Sequence, residues 1–336
     1  WPHHWNGDIV PIIPDYGNGQ GNAIWDQENF DEDTSQQMFD CYYPKTARYK
    51  LITLTGKRFC RCLFLIRKEM KLQKTTFKPG SRVRLKDFDP RETSGSSKEK
   101  ARAVCQANAA AIDALSYRLY AENQRAVLIV LQGMDTAGKD GTIRHLMQGV
   151  DAQATEVYPF KKPSSEELDH DFLWRIHKKV PALGNIGIFN RSHYEDVLVV
   201  RVHNLVPPKE WKTRYERIND FENLLTDAGI TILKFFLHIS KEEQRERLQA
   251  RLDAPNKRWK FSKGDLAERK LWDDYQAAYT DALSKCNTRH APWHIICADR
   301  KWHRNLVVST VVRRTLEKMN PQFPPAEDGL EGIVVK

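Results

Sequence analysis

Apolar residues follow two spacings along this chain, and the alternation of the two predicts its fold. The continuous apolar run at residues 126–132, AVLIVLQ, is typical of a buried parallel strand. Similar short runs occupy residues 185–189, 231–239 and 293–298. Between the runs, apolar residues recur every three or four positions, which indicates helices. Strands that alternate with helices predict an α/β fold with a mainly parallel sheet.

The helical spacing is clearest in residues 98–123, which follow a short Ser and Gly stretch. The apolar stripe of this segment consists of Val104, Ala107, Ala111, Leu115 and Leu119. We expect this stripe to pack on the domain. Further helical patterns cover residues 143–149, 166–179, 209–228, 241–251, 265–283 and 302–319.

A glycine-rich loop, GMDTAGKDGT, follows the first strand at residues 133–142. It has the spacing of a phosphate-binding P-loop, and it lies between a strand and a helix as such loops do. Backbone N–H groups and the helix N-terminus can then cradle phosphate oxygens, while the lysine supplies a point charge. The predicted phosphate-binding residues of the loop are Gly133, Gly138, Lys139, Gly141 and Thr142. The alternative is a solvated glycine turn.

Two carboxylates set this loop apart from the common P-loop. Asp140 follows the lysine, where a Ser or Thr usually contacts magnesium, and Asp135 lies within the loop. Carboxylates beside phosphates suit Mg²⁺, with Mn²⁺ as the alternative, and can orient an attacking phosphate. We therefore predict that Asp135, Lys139 and Asp140 are catalytic and that Asp135 and Asp140 hold the metal ion.

The segment FNRSHYEDVLVVRVH, residues 189–203, leaves the second strand where ligands bind at the carboxyl edge of a parallel sheet. The planar guanidinium of Arg191 can bridge two phosphate oxygens, and Glu195 can position metal or substrate. We predict catalytic roles for both residues. Asn190 and Asp196 are the predicted nucleotide-binding residues, with a structural salt bridge as the alternative for Asp196.

Three cations lie between the glycine-rich loop and the predicted second strand. Arg144 lies in the predicted helix that follows the loop, and Lys161 and Lys162 precede a segment with a predicted capping box between Ser164 and Glu167. We predict that the three cations bind a chain of phosphates. A solvated loop is the alternative for the two lysines.

The stretch at residues 245–275 breaks at Pro255 and resembles a helical lid. A lid that carries cations can close over phosphoryl groups, exclude water and stabilise transition-state charge. The predicted lid cations are Arg251, Lys257, Lys260 and Arg269. The alternative is a surface hairpin whose cations pair with neighbouring acids.

Composition narrows the classes of protein to which the chain can belong. The 336 residues carry 53 Lys plus Arg against 44 Asp plus Glu, a net charge of +9. Residues 1–44 hold eight acids and no Lys or Arg, whereas residues 45–78 hold eleven bases and one acid. Zinc-finger spacing and RNP-like strands are not found, so the charge favours a small polyanionic substrate over nucleic acid. No apolar run reaches the roughly 18 residues of a transmembrane helix. The six scattered cysteines are typical of reduced cytosolic thiols. We therefore expect a soluble cytoplasmic protein without a membrane partner.

These motifs together resemble the polyphosphate kinase 2 family. The resemblance is carried by KPGSRVRLKDFDP, LYAENQRAVLIVLQGMDTAGKDGTIRH, FKKPSSEELDHDFLWRIH, FNRSHYEDVLVVRVH, RLDAPNKRWKFSKGDLAERKLWDDY and APWHIICADRKWHRNL. It implies a P-loop kinase-like, three-layer α/β/α core with a helical lid and a homo-oligomeric assembly. It also implies Mg²⁺-dependent transfer of the terminal phosphate of inorganic polyphosphate to AMP, ADP or both, with guanine nucleotides left open. The NRSHYEDV form, with Glu195, resembles the subgroup that phosphorylates AMP as well as ADP.

The resemblance predicts three parts of the chain. Residues 76–322 form the catalytic domain, and residues 323–336 form a C-terminal tail. Residues 1–75 are an N-terminal extension of unknown role, and the chain begins with Trp1 rather than Met, as a fragment or trimmed product would. Two other functions stay open: an ATP-dependent nucleotide or small-molecule kinase on the same core, and a nucleic-acid-binding module without turnover.

Overall fold

A computed structural model describes residues 72–335, so the prediction for most of the N-terminal extension lies outside the described residues. Its centre is one sheet with the strand order β2-β3-β1-β4-β5, in which every neighbouring pair is parallel. The strands are β1 Ala126–Gln132, β2 Thr155–Pro159, β3 Ile186–Asn190, β4 Ile230–His238 and β5 Trp293–Cys297. The predicted α/β fold with a parallel sheet is therefore confirmed.

Strand β2 is the one strand of this sheet that the apolar pattern does not reveal. It lies at the sheet edge and pairs only with β3, and most of its side chains are partly or fully exposed. All seven residues of β1 are buried, by contrast, because β1 lies between β3 and β4. A continuous apolar run therefore marks a strand whose residues are buried, whereas the exposed edge strand β2 carries polar residues such as Glu156.

Ten α-helices connect and flank these strands within residues 72–335. They are α1 Lys98–Glu122, α2 Lys139–Leu146, α3 Ser165–Leu168, α4 Trp174–His177, α5 Val199–Val202, α6 Pro208–Asp227, α7 Lys241–Asp253, α8 Lys263–Lys270, α9 Trp272–Lys285 and α10 Lys301–Met319. Short 3₁₀-helices occur at Leu85–Asp87, Met147–Gly149, His193–Val197 and Pro255–Lys260. No helix in the described part of the chain is long and apolar enough to cross a membrane.

Helix α1 has the predicted bounds, but its buried face differs from the predicted apolar stripe. The buried residues are Ala101, Asn108, Ile112, Ser116 and Leu119, so only Leu119 of the predicted stripe is fully buried. The Asn108 amide donates to the hydroxyls of Ser309 and Thr310 on α10, both at 2.9 Å. Apolar spacing could not predict this face because α1 contacts α10 partly through hydrogen-bonded polar side chains.

Two predicted helices are interrupted. Residues 166–179 form α3 and α4, because the backbone N–H of Leu173 bonds to the Asp171 side chain at 2.9 Å between them. The predicted capping box is confirmed at α3, where Ser164 and Glu167 bond reciprocally. Residues 265–283 likewise divide into α8 and α9 at Leu271.

The first described residues run along the outer edge of β5. The backbone N–H of Ile295 donates to the Thr75 carbonyl at 2.9 Å. The Gln73 side chain donates to the Ile295 carbonyl at 2.9 Å and accepts from the Cys297 N–H at 3.2 Å. This segment therefore satisfies the backbone of the edge strand, which would otherwise stay open to pairing.

Candidate active site

The glycine-rich loop turns sharply where β1 ends. Gly133 has φ +155°, and a Cβ atom there would lie 2.8 Å from the Leu237 carbonyl oxygen. Gly138 is the N-cap of α2 at φ +104°, in the left-handed region that favours glycine. These two glycines let the loop fold back between β1 and α2, so that backbone N–H groups at the start of α2 are open to an anion.

Lys139 lies inside this loop. Its side chain is 9% exposed, and its Nζ donates to the carbonyls of Gly133 at 2.6 Å and Met134 at 3.3 Å. Burial and the nearby Arg191 lower the pKa of Lys139, while Asp135, Glu195 and Asp140 oppose that shift. The lysine is thus held by weak backbone partners at the place where phosphate oxygens would provide stronger ones.

The two loop carboxylates meet the end of β3. Asp135 Oδ1 accepts from Arg191 Nη2 at 3.0 Å, and Asp140 Oδ1 accepts from the Asn190 amide at 2.9 Å. Burial alone would lower the pKa of Arg191, but Glu195 and Asp135 outweigh it, so the pKa lies above its usual value. Four predicted residues from two segments that are 50 or more positions apart therefore meet at one edge of the sheet.

The chemistry of these donors fits Mg²⁺. No group of three or more His, Cys, Asp or Glu side chains that could hold a metal ion occurs among residues 72–335, so the chain offers no complete cage. Mg²⁺ is usually bound by one or two carboxylates together with substrate phosphates and water. Asp135 and Asp140 supply two such carboxylates beside the phosphate-binding loop, with side chains 30% and 66% exposed.

Glu195 lies behind Arg191 and is partly buried. Burial raises the pKa of Glu195, although Arg191 and Lys139 counteract the shift. The Gln132 amide lies between Glu195 and Ser192. With its nitrogen turned toward Glu195, it donates to Oε1 at 3.1 Å and accepts from the Ser192 N–H and hydroxyl at 3.1 Å. The carboxylate of Glu195 is thereby oriented by a residue of β1.

A cavity of about 630 Å³ opens beside the loop. Twelve predicted residues line it: Asp135, Gly138, Lys139, Asp140, Gly141, Arg144, Lys161, Asn190, Arg191, Arg251, Lys257 and Lys260. The predicted lid contributes the last three together with Trp259, whose side chain is 77% exposed. Lys260 Nζ lies 4.0 Å from Asp140 Oδ2, so the lid already reaches the loop. Seven of the lining residues are Lys or Arg and three are Asp, so the lining carries the excess of positive charge that a chain of phosphates requires.

Comparison with known proteins agrees with this arrangement. The sequence model of the family described as Polyphosphate kinase 2 (PPK2) matches residues 95–324. The chain belongs to the polyphosphate kinase 2 family. It is 50% identical over 268 residues to the AMP/ADP-polyphosphate phosphotransferase of Meiothermus ruber, which covers 79% of this chain and 100% of the relative. It is 45% identical over 240 residues to the ADP-polyphosphate phosphotransferase of Rhodopseudomonas palustris, covering 68% and 83% of the two chains.

A solved family member has the same fold. The crystal structure of Polyphosphate Kinase 2 from Arthrobacter aurescens TC1 superposes with a TM-score of 0.73 at 42% sequence identity. The match covers 78% of this chain and 96% of the other. The family match does not test the predicted domain boundaries at residues 76 and 322, which stay predictions.

Six predicted site residues do not line the cavity of this polyphosphate kinase 2 chain. They are Gly133, Thr142, Lys162, Glu195, Asp196 and Arg269. Thr142 is buried and its hydroxyl donates to the Gly138 carbonyl at 3.2 Å, which stabilises the loop. Arg269 donates to the Lys241 carbonyl at 2.6 Å and to Gln244 Oε1 at 3.0 Å. Gln244 in turn donates to the Asp135 carbonyl at 3.2 Å, so Arg269 reaches the loop indirectly.

Asp196 occupies a structural salt bridge. Its Oδ1 accepts from Arg214 Nη1 at 3.0 Å on α6, so the contact matches the alternative stated for this residue. Burial raises the pKa of Asp196 to about 6, with Glu195 adding to the shift and Arg214 opposing it. The proposed contact of Asp196 with nucleotide stays a prediction.

The raised pKa of Asp196 predicts how stability depends on pH. The native state binds this proton more tightly than the unfolded chain, whose carboxyl has a pKa near 3.8. The stabilisation is therefore complete below about pH 4 and is lost as the pH rises through about 6. We expect the Tm of the native chain to fall relative to Asp196→Asn between pH 4 and 7, measured by scanning calorimetry. A difference in Tm that stays constant over this range would contradict the prediction.

Sequence reasoning missed two arginines beside the loop. Arg247 donates to the carbonyls of Thr136 and Ala137 at 2.9 and 3.1 Å, and to those of Ala298 and Asp299 at 2.8 and 2.9 Å. It thus joins the loop to the segment after β5. In the sequence, Arg247 is one of many cations of a charged helix, so spacing gave no signal for it.

Arg304 is the second of these arginines. It is 3% exposed, and a Cβ atom at Gly138 would lie 1.9 Å from its Nη1. Its Nε and Nη2 donate to Asn305 Oδ1, and within residues 72–335 it forms no ion pair with a carboxylate. Burial and Arg247 lower the pKa of Arg304 to about 10. A buried cation without a counter-charge beside a phosphate-binding loop indicates that an anion completes the site.

Proposed function

We propose that this chain transfers the terminal phosphate of inorganic polyphosphate to AMP and ADP in a Mg²⁺-dependent reaction. The observation that carries the proposal is the cavity lined by several cations, into which Asp135, Lys139 and Asp140 of the glycine-rich loop and Arg191 after β3 all open. Support comes from the relatives, which are named for phosphotransfer between polyphosphate and AMP or ADP. One acceptor site would serve both nucleotides in turn.

Binding and orientation account for most of the catalysis in phosphoryl transfer. Lys139 and Arg191 lie where they can neutralise the equatorial oxygens of the transferred group, because both face the loop that would hold it. A bound Mg²⁺ supplies charge neutralisation between the phosphates. Asp135 and Asp140 would hold it and orient the attacking nucleotide phosphate. Asn190 fixes the carboxylate of Asp140 for this purpose.

The lid positions further cations and limits access of water. Arg251 Nη1 donates to the Lys260 carbonyl at 3.3 Å and lies 3.6 Å from Asp265 Oδ2, so contacts within the lid set its own shape. Lys257 and Lys260 line the cavity from the same segment. Closure of the lid over phosphates would add these charges to the transition state and exclude competing hydrolysis.

Arg304 and Arg247 indicate where the donor chain runs. Both lie against Gly138, and Arg304 comes from α10, whereas Lys161 and Arg144 line the cavity. Lys301 adds to the first group, because its pKa is lowered by burial and then by Arg247, with Arg304 contributing. We propose that polyphosphate lies over the loop and extends toward α10. Its phosphates would then pair with the buried charge of Arg304.

Replacing Arg304 should separate donor from acceptor binding. A hydrogen bond to a charged group contributes about 1.5–3 kcal/mol, so Arg304→Gln should raise KM for polyphosphate about 10- to 100-fold. KM for AMP should stay within about twofold, which steady-state rates at varied substrate will show. Folding should persist, because the variant removes a buried charge that lacks a counter-charge. The control is Arg314→Gln, an exposed arginine on the same helix. Equal effects on the KM values for polyphosphate and AMP would contradict the proposed path of polyphosphate past Arg304.

The function itself is tested by changing the donor. Purified protein is incubated with AMP and Mg²⁺, with either long-chain polyphosphate or ATP as the phosphate donor, and products are separated by chromatography. We expect ADP and then ATP from polyphosphate. Product with ATP alone would replace the proposal by an ordinary nucleotide kinase, and no product with either donor would refute both.

Further properties belong to the proposal. We expect Mn²⁺ to support turnover in place of Mg²⁺ and guanine nucleotides to serve as slower acceptors. We also propose a homo-oligomeric, cytoplasmic enzyme that binds neither membrane nor nucleic acid. Light scattering coupled to size-exclusion chromatography measures the assembly, and a single-chain mass near 39.1 kDa would contradict it.

A further inference from the structure

A fully buried charge network lies behind the end of β3, apart from the cavity. Its members are Lys234 on β4, Glu222 on α6, and His193 and Tyr194 in the 3₁₀-helix His193–Val197. All four side chains are 0% exposed. The phosphate-binding residues do not include them, and the mechanism above does not use them.

Every donor of the Lys234 ammonium group has a partner. Nζ donates to Glu222 Oε2 at 2.6 Å, to the Tyr194 hydroxyl at 2.8 Å and to the Cys286 carbonyl at 2.6 Å. An ammonium group has three N–H donors, so its hydrogen bonding is complete. The site thereby avoids a partly satisfied charge, which would be very unfavourable in the core.

The other oxygen of Glu222 holds the 3₁₀-helix. Oε1 accepts from the Tyr194 hydroxyl at 2.8 Å and lies 3.3 Å from His193 Nε2. Two consecutive side chains of the 3₁₀-helix thus bond to one carboxylate. Burial alone would raise the pKa of Glu222, but Lys234 and His193 outweigh it, and the carboxylate stays ionised.

The four buried side chains form an anchor for the segment that carries Arg191, which lines the cavity, and Glu195, which does not. Arg191 lies two positions before His193 and adopts φ +65°, a conformation that side-chain-bearing residues seldom take without support. Glu195 follows Tyr194 and is the strongest raising influence on the pKa of Arg191. Because His193 and Tyr194 are fixed inward, the backbone of residues 191–195 is held in place, with Arg191 bonded to Asp135 and Glu195 oriented by the Gln132 amide.

We propose that Glu222 and Lys234 are positioning residues for phosphoryl transfer, which hold the segment of residues 191–195 so that Arg191 faces the reacting phosphates and Glu195 stays beside it. The proposal rests on the function proposed above. Buried ion pairs are often no more stabilising than apolar residues of similar size, so stability alone does not explain this one. A displacement of about 1 Å at a reacting group can cost about 100-fold in rate, which a fixed anchor prevents.

Tyr194→Phe tests the anchor with the smallest change. It removes the hydroxyl that joins Lys234 to Glu222 and keeps the buried ring. We expect kcat to fall about 10- to 100-fold while both KM values stay within about twofold. The control is Tyr215→Phe on α6, since Tyr215 is also buried but its hydroxyl contacts Arg201. Its kcat should equal that of the native chain.

The double variant Glu222→Leu with Lys234→Met separates positioning from stability. Both charges leave together, so the core keeps no unpaired ion, and thermal unfolding verifies the fold. We expect a folded protein with reduced kcat. Native kcat in either Tyr194→Phe or the folded double variant would overturn the positioning role. If the native chain itself fails to transfer phosphate from polyphosphate, the proposed function is refuted and the inference with it.

Discussion

Lys139→Met should lower kcat about 100- to 1000-fold, the range found when a group that stabilises developing charge is removed. The Lys139 ammonium group lies within the loop and donates hydrogen bonds only to backbone carbonyls. It can exchange these hydrogen bonds for stronger ones to phosphate oxygens. Methionine has similar length and suits a side chain that is 9% exposed, so the fold should persist. The measurement is the rate of ADP formation from AMP and polyphosphate at saturating substrate.

The control for this variant is Lys209→Met, which removes an exposed lysine near the start of α6. Its rate should equal that of the native chain. If Lys139→Met also keeps the native rate, the glycine-rich loop does not act on the transferred phosphate. The P-loop assignment would then be wrong, whatever the fold of the variant.

Asp135→Asn should abolish most turnover while the protein stays folded. The change keeps the size of the side chain but removes a charge that would hold Mg²⁺ and that pairs with Arg191 at 3.0 Å. We expect a loss of about 100- to 1000-fold in kcat and a higher Mg²⁺ concentration for half-maximal rate. Rates measured across a Mg²⁺ titration report both quantities.

Mn²⁺ binding is a second measurement on the Asp135→Asn variant. Electron paramagnetic resonance of Mn²⁺ with polyphosphate present, and without nucleotide, should show weaker binding in Asp135→Asn than in the native chain. The matched control is Asp274→Asn, an exposed carboxylate on α9. Unchanged activity and unchanged Mn²⁺ affinity in Asp135→Asn would exclude Asp135 from the metal site.

Local spacing along the chain predicted the loop well, and the structure explains why. The residues from Gly133 to Gly141 are contiguous, and their geometry follows from β1, α2 and the two glycines with positive φ. Asn190 and Arg191 were predicted from their place at the end of β3. Parallel strands end at the same edge of a sheet, so β1 and β3 bring these groups together once they pair.

The spacing of residues along the chain could not predict the residues that contact the loop from distant segments. Arg247 bonds to a carbonyl 111 positions away, and Arg304 packs against Gly138 from α10. Glu222 appeared in the sequence as one acid among many on a polar helix. Only burial beside Lys234 distinguishes it, and burial depends on neighbours that the local sequence does not contain.

The sequence by itself determined the parallel α/β fold, the glycine-rich loop and the family, because each follows from short contiguous patterns. The tertiary structure decided which face of α1 is buried, which cations reach the loop, and which charges are paired in the core. These depend on contacts between residues far apart in the chain, where hydrogen bonding and burial outweigh local preference. Asn108 shows the difference, since a polar residue becomes part of the core once Ser309 and Thr310 supply its partners.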